Sequence, residues 1–175
     1  MLKKSGIQKQ QGQSIVELAL LLPILVLLFI GMVEVVFISR SYLALLESSS
    51  QGAHLGSQGL ALYNNSEIYT LVTQNLSREG YEASSLIDVI ITRADLVGGN
   101  AIQNYQVTNM KGSGRATILT PTVLTSRLRG GDPAGRLIAV EVVYNHQLLF
   151  NFPIIRNLFP NPFPLVAYSI QYTAR

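Results

Sequence analysis

The spacing of apolar residues changes character three times along the chain. From Ile15 to Ile38 nearly every position is hydrophobic, and Glu17 and Glu34 are the only charges in twenty-four residues. At about 1.5 Å of rise per residue, such a helix reaches roughly 36 Å, against a hydrocarbon core of about 30 Å. Only a helix satisfies its own backbone donors and acceptors in lipid, so the pattern predicts a single transmembrane helix. Pro23 lies inside it and cannot donate a hydrogen bond, which predicts a kink or local unwinding between Ala19 and Pro23.

Beyond the apolar run, Tyr42, Leu45, Leu46, Ser49 and Ala53 recur at helical spacing and predict that the helix continues to about Gly56. Gly52, Gly56 and Gly59 are expected to weaken it. A second helix is expected from a cap at Asn65 or Ser66 to about Glu79, with Ile68, Leu71, Val72 and Leu76 on one face and Gly80 as its stop.

After Gly80 the rhythm shortens to extended runs rich in β-branched residues. Leu86 to Thr92, Arg136 to Tyr144 and Val166 to Thr173 read as strands, with further candidates at Tyr105 to Thr108 and Ala116 to Leu119. Gly98 to Asn100, Lys111 to Gly114 and Gly130 to Pro133 read as turns. The fold class is therefore α+β, a long amino-terminal helix leading into a domain with a second helix and an antiparallel sheet. Leu148 to Pro164 is apolar, broken by prolines and carries Phe150, Phe152, Phe159 and Phe163; it is expected to cover the sheet, with an exposed contact surface as the other reading.

Charge orients the span. Lys3, Lys4 and Lys9 precede it with no acid among the first twelve residues, against a single Arg40 beyond it. The positive-inside rule then holds the amino terminus in the cytoplasm and sends the chain after about Arg40 across the membrane. The apolar run is too long for a signal-peptide core of about 7–15 residues, carries Glu17 near its start and is followed by no clear small-residue cleavage site. After Ile38 ten basic and eight acidic residues remain, too weak a balance for nucleic acid. Cysteine is absent, so no disulfide or thiolate-bound metal holds the domain.

Gly12-Gln13-Ser14-Ile15-Val16-Glu17-Leu18-Ala19, followed by Leu20-Leu21-Leu22-Pro23 and Gly31-Met32-Val33-Glu34, resembles the amino-terminal signature of the TadE-like family of pseudopilins, which accompany the Tad, or Flp, type IVb pilus machinery and related secretion assemblies. The signature covers about residues 12–38. Leu18 stands where phenylalanine is common in that family, a change conservative in volume and apolarity.

The resemblance implies a pilin-like architecture in four parts: a cytoplasmic basic leader at 1–12, a transmembrane helix at 13–38, a helix extension at 39–59 and an exported α+β domain at 60–175. It also implies a processing site, with Gly12 the last leader residue, Gln13 the new amino terminus and Glu17 the fifth mature residue. The partners it implies are a prepilin peptidase, other pilin-like subunits, the pilus assembly platform and membrane lipid, in a bacterial or archaeal cytoplasmic membrane. Glu17 would meet a free amino terminus within a helix bundle and so select register, because a carboxylate among apolar helices is costly without a cation. Gly31 would permit close helix approach. Together with Pro23 and Glu34, these residues are the candidates for helix packing.

Glu34 lies seventeen residues after Glu17, which leaves roughly 100° between their faces at about 100° per residue. It is expected at the far headgroup region, with a buried pairing role as the second reading. No catalytic residue, cofactor or metal is expected. His54 and His146 are the only histidines, stand far apart, and are expected at the surface or in turns. No P-loop and no nucleophile elbow occurs. Two functions follow: a non-catalytic, processed minor pseudopilin, or an unprocessed single-pass anchor carrying a binding module.

Overall fold

The structure is a computed structural model that describes residues 7–58, 64–81, 86–97, 101–111, 114–127, 134–149 and 162–174. Helix α1 runs from Ile7 to Gln58, 52 residues without interruption. At 1.5 Å per residue it is about 78 Å long. The helix is continuous through Pro23 and does not break there. The helix runs on without a break across 12/13 and 38/39.

Helix α2 spans Asn65–Arg78 and its cap is Asn64, one residue earlier than expected. The Asn64 carbonyl side chain accepts from the Glu67 N–H at 2.9 Å, and the Asn64 N–H donates to the Glu67 carboxylate at 3.1 Å. This reciprocal box satisfies two donors that a bare helix end would leave open. Past the carboxyl end Gly80 takes φ +86, a left-handed turn that a side chain would strain. Ile68, Val72 and Leu76 are wholly buried, and Leu71 is half-buried on the flank of that face.

Four strands follow: β1 Ile87–Val97, β2 Ala101–Asn109, β3 Gly135–His146 and β4 Phe163–Ala174, with a short helix α3 at Pro121–Arg127 before β3. They form one sheet in the order β2-β1-β3-β4, every pair antiparallel. The α+β class and the antiparallel sheet match the sequence expectation. Strand β1 is longer than expected and β2 begins earlier; α3 was not anticipated. Ala116 to Leu119 forms no strand. The turns expected at 98–100 and 130–133, residues 112–113 of the turn expected at 111–114, and the chain at 150–161 lie outside the described residues, as does the covering role expected of Leu148 to Pro164 for most of its length.

Helices α1 and α2 cover one face of the sheet. Leu45 and Ala53 from α1 and Ile68, Val72 and Leu76 from α2 close over Val89, Ile91, Ile138, Val140 and Val142. On the other face Leu119 and Leu124 pack on Leu96, Leu137 and Ala139. With both faces covered, the core strands read as nearly continuous apolar runs.

Gly52 and Gly56 do not weaken α1; they are where it fits. A Cβ at Gly52 would come within 2.6 Å of Val72 Cγ2, and one at Gly56 would overlap the Ile138 side chain. Both glycines lie in the stretch of α1 packed on α2 and the sheet, and their missing side chains let the backbones approach. Gly52→Val is therefore expected to cost about 1–3 kcal/mol through overpacking. Gly31→Ala, with nothing within 4 Å of the added carbon, is expected to cost nothing in the isolated chain. Denaturant unfolding in detergent, followed by circular dichroism, checks the contrast.

Strand β3 runs antiparallel to α1. Its His146 end meets Glu34 at 3.2 Å, while β4 at its far end, beside Gly135, donates from the Thr173 hydroxyl to the Ser57 carbonyl at 3.1 Å. Glu34 to Ser57 is about 35 Å of helix and Gly135 to His146 about 36 Å of strand. The agreement means that the sheet stands along the helix axis.

Candidate functional site

The first part of the site is the amino-terminal half of α1. From Gln13 to Phe29 every side chain is exposed, with Leu20 at 70% and Phe29 at 68%. This is the one described helix long and apolar enough to cross a membrane, which is compatible with single-pass anchoring. Gly12 lies within the helix, so the bond between Gly12 and Gln13 is helical. One turn on, the Gln13 amide donates to the Glu17 carboxylate at 3.0 Å. Side chains on a helix tilt toward its amino terminus, so Glu17 reaches back toward residue 13. Pro23 is exposed, and Gly31 faces open space. Of the candidate residues, the structure brings together only Gln13 and Glu17.

Glu34 finds its partner in the domain. His146 Nε2 lies 3.2 Å from Glu34 Oε1, with side chains 8% and 12% exposed, respectively. The Leu149 N–H also donates to both carboxylate oxygens, at 3.3 and 3.2 Å. His146 is therefore a buried hydrogen-bond partner of Glu34 and not the surface or turn residue the sequence suggested. The reason is that Glu34, at the point where α1 meets the sheet, would be costly without a donor.

The grip extends along one stripe of α1. Tyr144 meets His146 edge-on at 6.0 Å and Tyr81 at 5.3 Å, and the Tyr81 hydroxyl donates to Ser41 Oγ at 3.0 Å. Glu34 and Ser41 are seven residues apart, about two turns, so a seam of rings clasps the same helix face at both points. Burial, with Tyr81 second, pushes the Tyr144 hydroxyl pKa up. Sequence reasoning missed His146, Tyr81, Tyr144 and Ser41 as partners. The available signal was a carboxylate inside an apolar run and a histidine at the end of an apolar strand.

On the far face of the sheet, Glu141 is 1% exposed. It accepts from the Thr117 hydroxyl and, at 2.9 Å, from the Ile118 N–H. This is why Ala116 to Leu119 forms no strand: the Ile118 N–H goes to the carboxylate and the Leu119 N–H to the Thr117 hydroxyl oxygen, in place of a ladder. Burial pushes the Glu141 pKa up, more than the bonds from Thr117 and Ile118 pull it down. A carboxyl raised on folding stabilises fully below its unfolded pKa, and that contribution is lost as pH rises through the folded value. Wild-type stability should therefore fall across that window while Glu141→Gln stays flat, as read by denaturant unfolding at a series of pH values.

Among the described residues no group of three or more histidines, aspartates or glutamates stands close enough to hold a metal. Two shallow concavities, one beside α3 and one between α1 and α2, pair no acid with a base. Neither arrangement offers the partners that acid-base or nucleophilic chemistry needs.

Residues 12–54 match the family described as TadE-like protein, the family that the Gly12-to-Glu34 pattern resembles. The match covers α1 from Gly12 to His54, including Glu17, Glu34 and Ser41, and stops before α2 and the sheet. It points to a Tad pilus-associated protein. Searches of curated proteins and of solved structures returned no match.

Proposed function

We propose that this chain, TadE-like in its amino-terminal segment, is a non-catalytic minor pseudopilin of Tad/Flp pilus assembly or a related secretion system, processed by a prepilin peptidase after Gly12. The observation that carries the reading is the family match lying on a helix whose side chains from Gln13 to Phe29 are all exposed and almost all apolar. Such a surface is covered only by lipid or by other apolar helices. Removal of twelve residues would leave 163 of the 175, larger than a bulk filament subunit of this class and suited to a minor, priming or tip role.

Processing creates a cation where the helix needs one. Cutting before Gln13 places an α-amino group one turn from Glu17, about 6 Å along the axis. The carboxylate then has a partner at its own terminus or at that of a neighbouring pilin-like subunit. In lipid either pairing offsets the cost of the charge, and the second fixes the axial register of two helices.

The test is the intact mass and amino-terminal sequence of the membrane-extracted chain, with and without its prepilin peptidase. A peptidase-dependent product beginning at Gln13 is expected. A chain that keeps Met1 to Gly12 under both conditions would sink the reading and leave an anchored binding module.

A further inference from the structure

We propose that the Leu149 end of the sheet rests in the bilayer interface, so that the α+β domain is seated on the membrane surface and does not stand clear of it. The inference rests on the membrane-spanning reading of α1 and adds where the domain sits relative to that span.

The geometry starts from the helix. With Gln13 at one edge of the hydrocarbon, Glu34 lies twenty-one rises along, about 32 Å, which is the far edge of a core of about 30 Å. Half-buried side chains of α1 first appear at Ile30, Val33 and Glu34, and Glu34 bonds the domain directly, so domain packing begins at that level and not beyond Ile38. Arg40, exposed, lies about 9 Å further on, within the headgroup zone that brings a bilayer to about 40–45 Å.

Glu34 fixes the domain at this height. Its bonds to His146 and to the Leu149 N–H place the end of β3 level with the hydrocarbon boundary. Leu149 is nevertheless 55% exposed. On the same level of α1, Val35, Val36 and Phe37 are exposed at 61%, 53% and 43%. The carboxylate there is taken by His146 Nε2 and the Leu149 N–H, and the His146 ring is itself buried. Among the described residues, this end therefore presents Leu149 beside the exposed Gln147 and level with Val35, Val36 and Phe37, an apolar set with a polar edge that is continuous with the lipid-facing helix, and the occupant that continuity selects is the acyl and headgroup boundary of the same bilayer.

Tryptophan and cysteine are both absent from the chain, so single reporters are unambiguous. The full chain carrying Leu149→Trp, Phe29→Trp or Val97→Trp is reconstituted in phosphatidylcholine vesicles brominated at different acyl depths. Val97 is 43% exposed, and its neighbour Leu96 pairs with Gly135 at the opposite end of the sheet. Leu149→Trp should emit to the blue of Val97→Trp and be quenched most by the shallowest bromines, with Phe29→Trp quenched by deep ones. Leu149→Cys bearing a nitroxide should collide more with oxygen than with an aqueous nickel chelate, guarding against a tryptophan that disturbs packing. A Leu149 reporter as water-exposed as Val97, beside a quenched Phe29, overturns the seating and leaves the span intact. An unquenched Phe29 overturns both.

Discussion

A Gly12→Val chain is expected to retain its first twelve residues in cells that process the wild-type chain completely. The proposed scissile bond lies inside α1, and a peptidase that works on extended backbone would have to unwind that turn before it could cut. Glycine makes the turn easier to open, being about 1 kcal/mol poorer than alanine in a helix interior. It also lets catalytic groups come close to the backbone, where valine would place two methyl groups. Both effects act in the same direction, so loss of cleavage should be near complete for valine, and alanine should fall between. Intact mass reads the outcome directly: a Gly12→Val chain cut as fully as wild type removes Gly12 from the processing site.

The second large effect concerns Glu34. Replacing it by alanine leaves His146 and the Leu149 N–H without their acceptor in a place that water scarcely reaches. Leaving a buried donor unsatisfied costs about 1–3 kcal/mol, and with two donors stranded the loss should appear as a lowered unfolding midpoint of the sheet domain. Glu34→Gln keeps an acceptor for the Leu149 N–H and should cost less. His146→Ala removes one donor but leaves the carboxylate its bonds from the Leu149 N–H, and should fall short of Glu34→Ala. If alanine and glutamine at Glu34 both stay within about 0.5 kcal/mol of wild type, the clasp does not hold the helix to the sheet.

Much of the architecture was legible because it is written in period. The unbroken apolar run, the helical spacing from Tyr42 to Ala53 and the β-branched runs each fix an element through burial on one or two faces. The errors came where a single side chain replaces a regular pattern. Glu141 bonds the Ile118 N–H and so turns an apparent strand into a pinned loop. Asn64 and Glu67 cap α2 together, and the pair outcompetes the single-residue caps at Asn65 and Ser66. Gly52 and Gly56 look like breakers in one dimension and are contact points in three, which no local propensity reveals.

The site divided in the same way. Gly12, Gln13 and Glu17 lie within six residues of one another, so spacing alone brings them together. Glu34 and His146 are 112 residues apart and meet only because β3 runs back along α1 to the point where the helix meets the sheet. The alternative of a pairing role for Glu34 was visible, but its partner was not, because an isolated histidine carries no signal of where the sheet will deliver it.

The sheet standing along α1, held at Glu34, Ser41 and Ser57, makes the helix and the domain turn as one piece. A slip of one residue between neighbouring helices in the membrane would then lift the domain by about 1.5 Å and swing it through about 100° around the axis. If Glu17 sets the register of neighbouring helices as proposed, the direction in which the outer edge of β2 points would record that setting, and a mismatch would be felt as domains that face the wrong way.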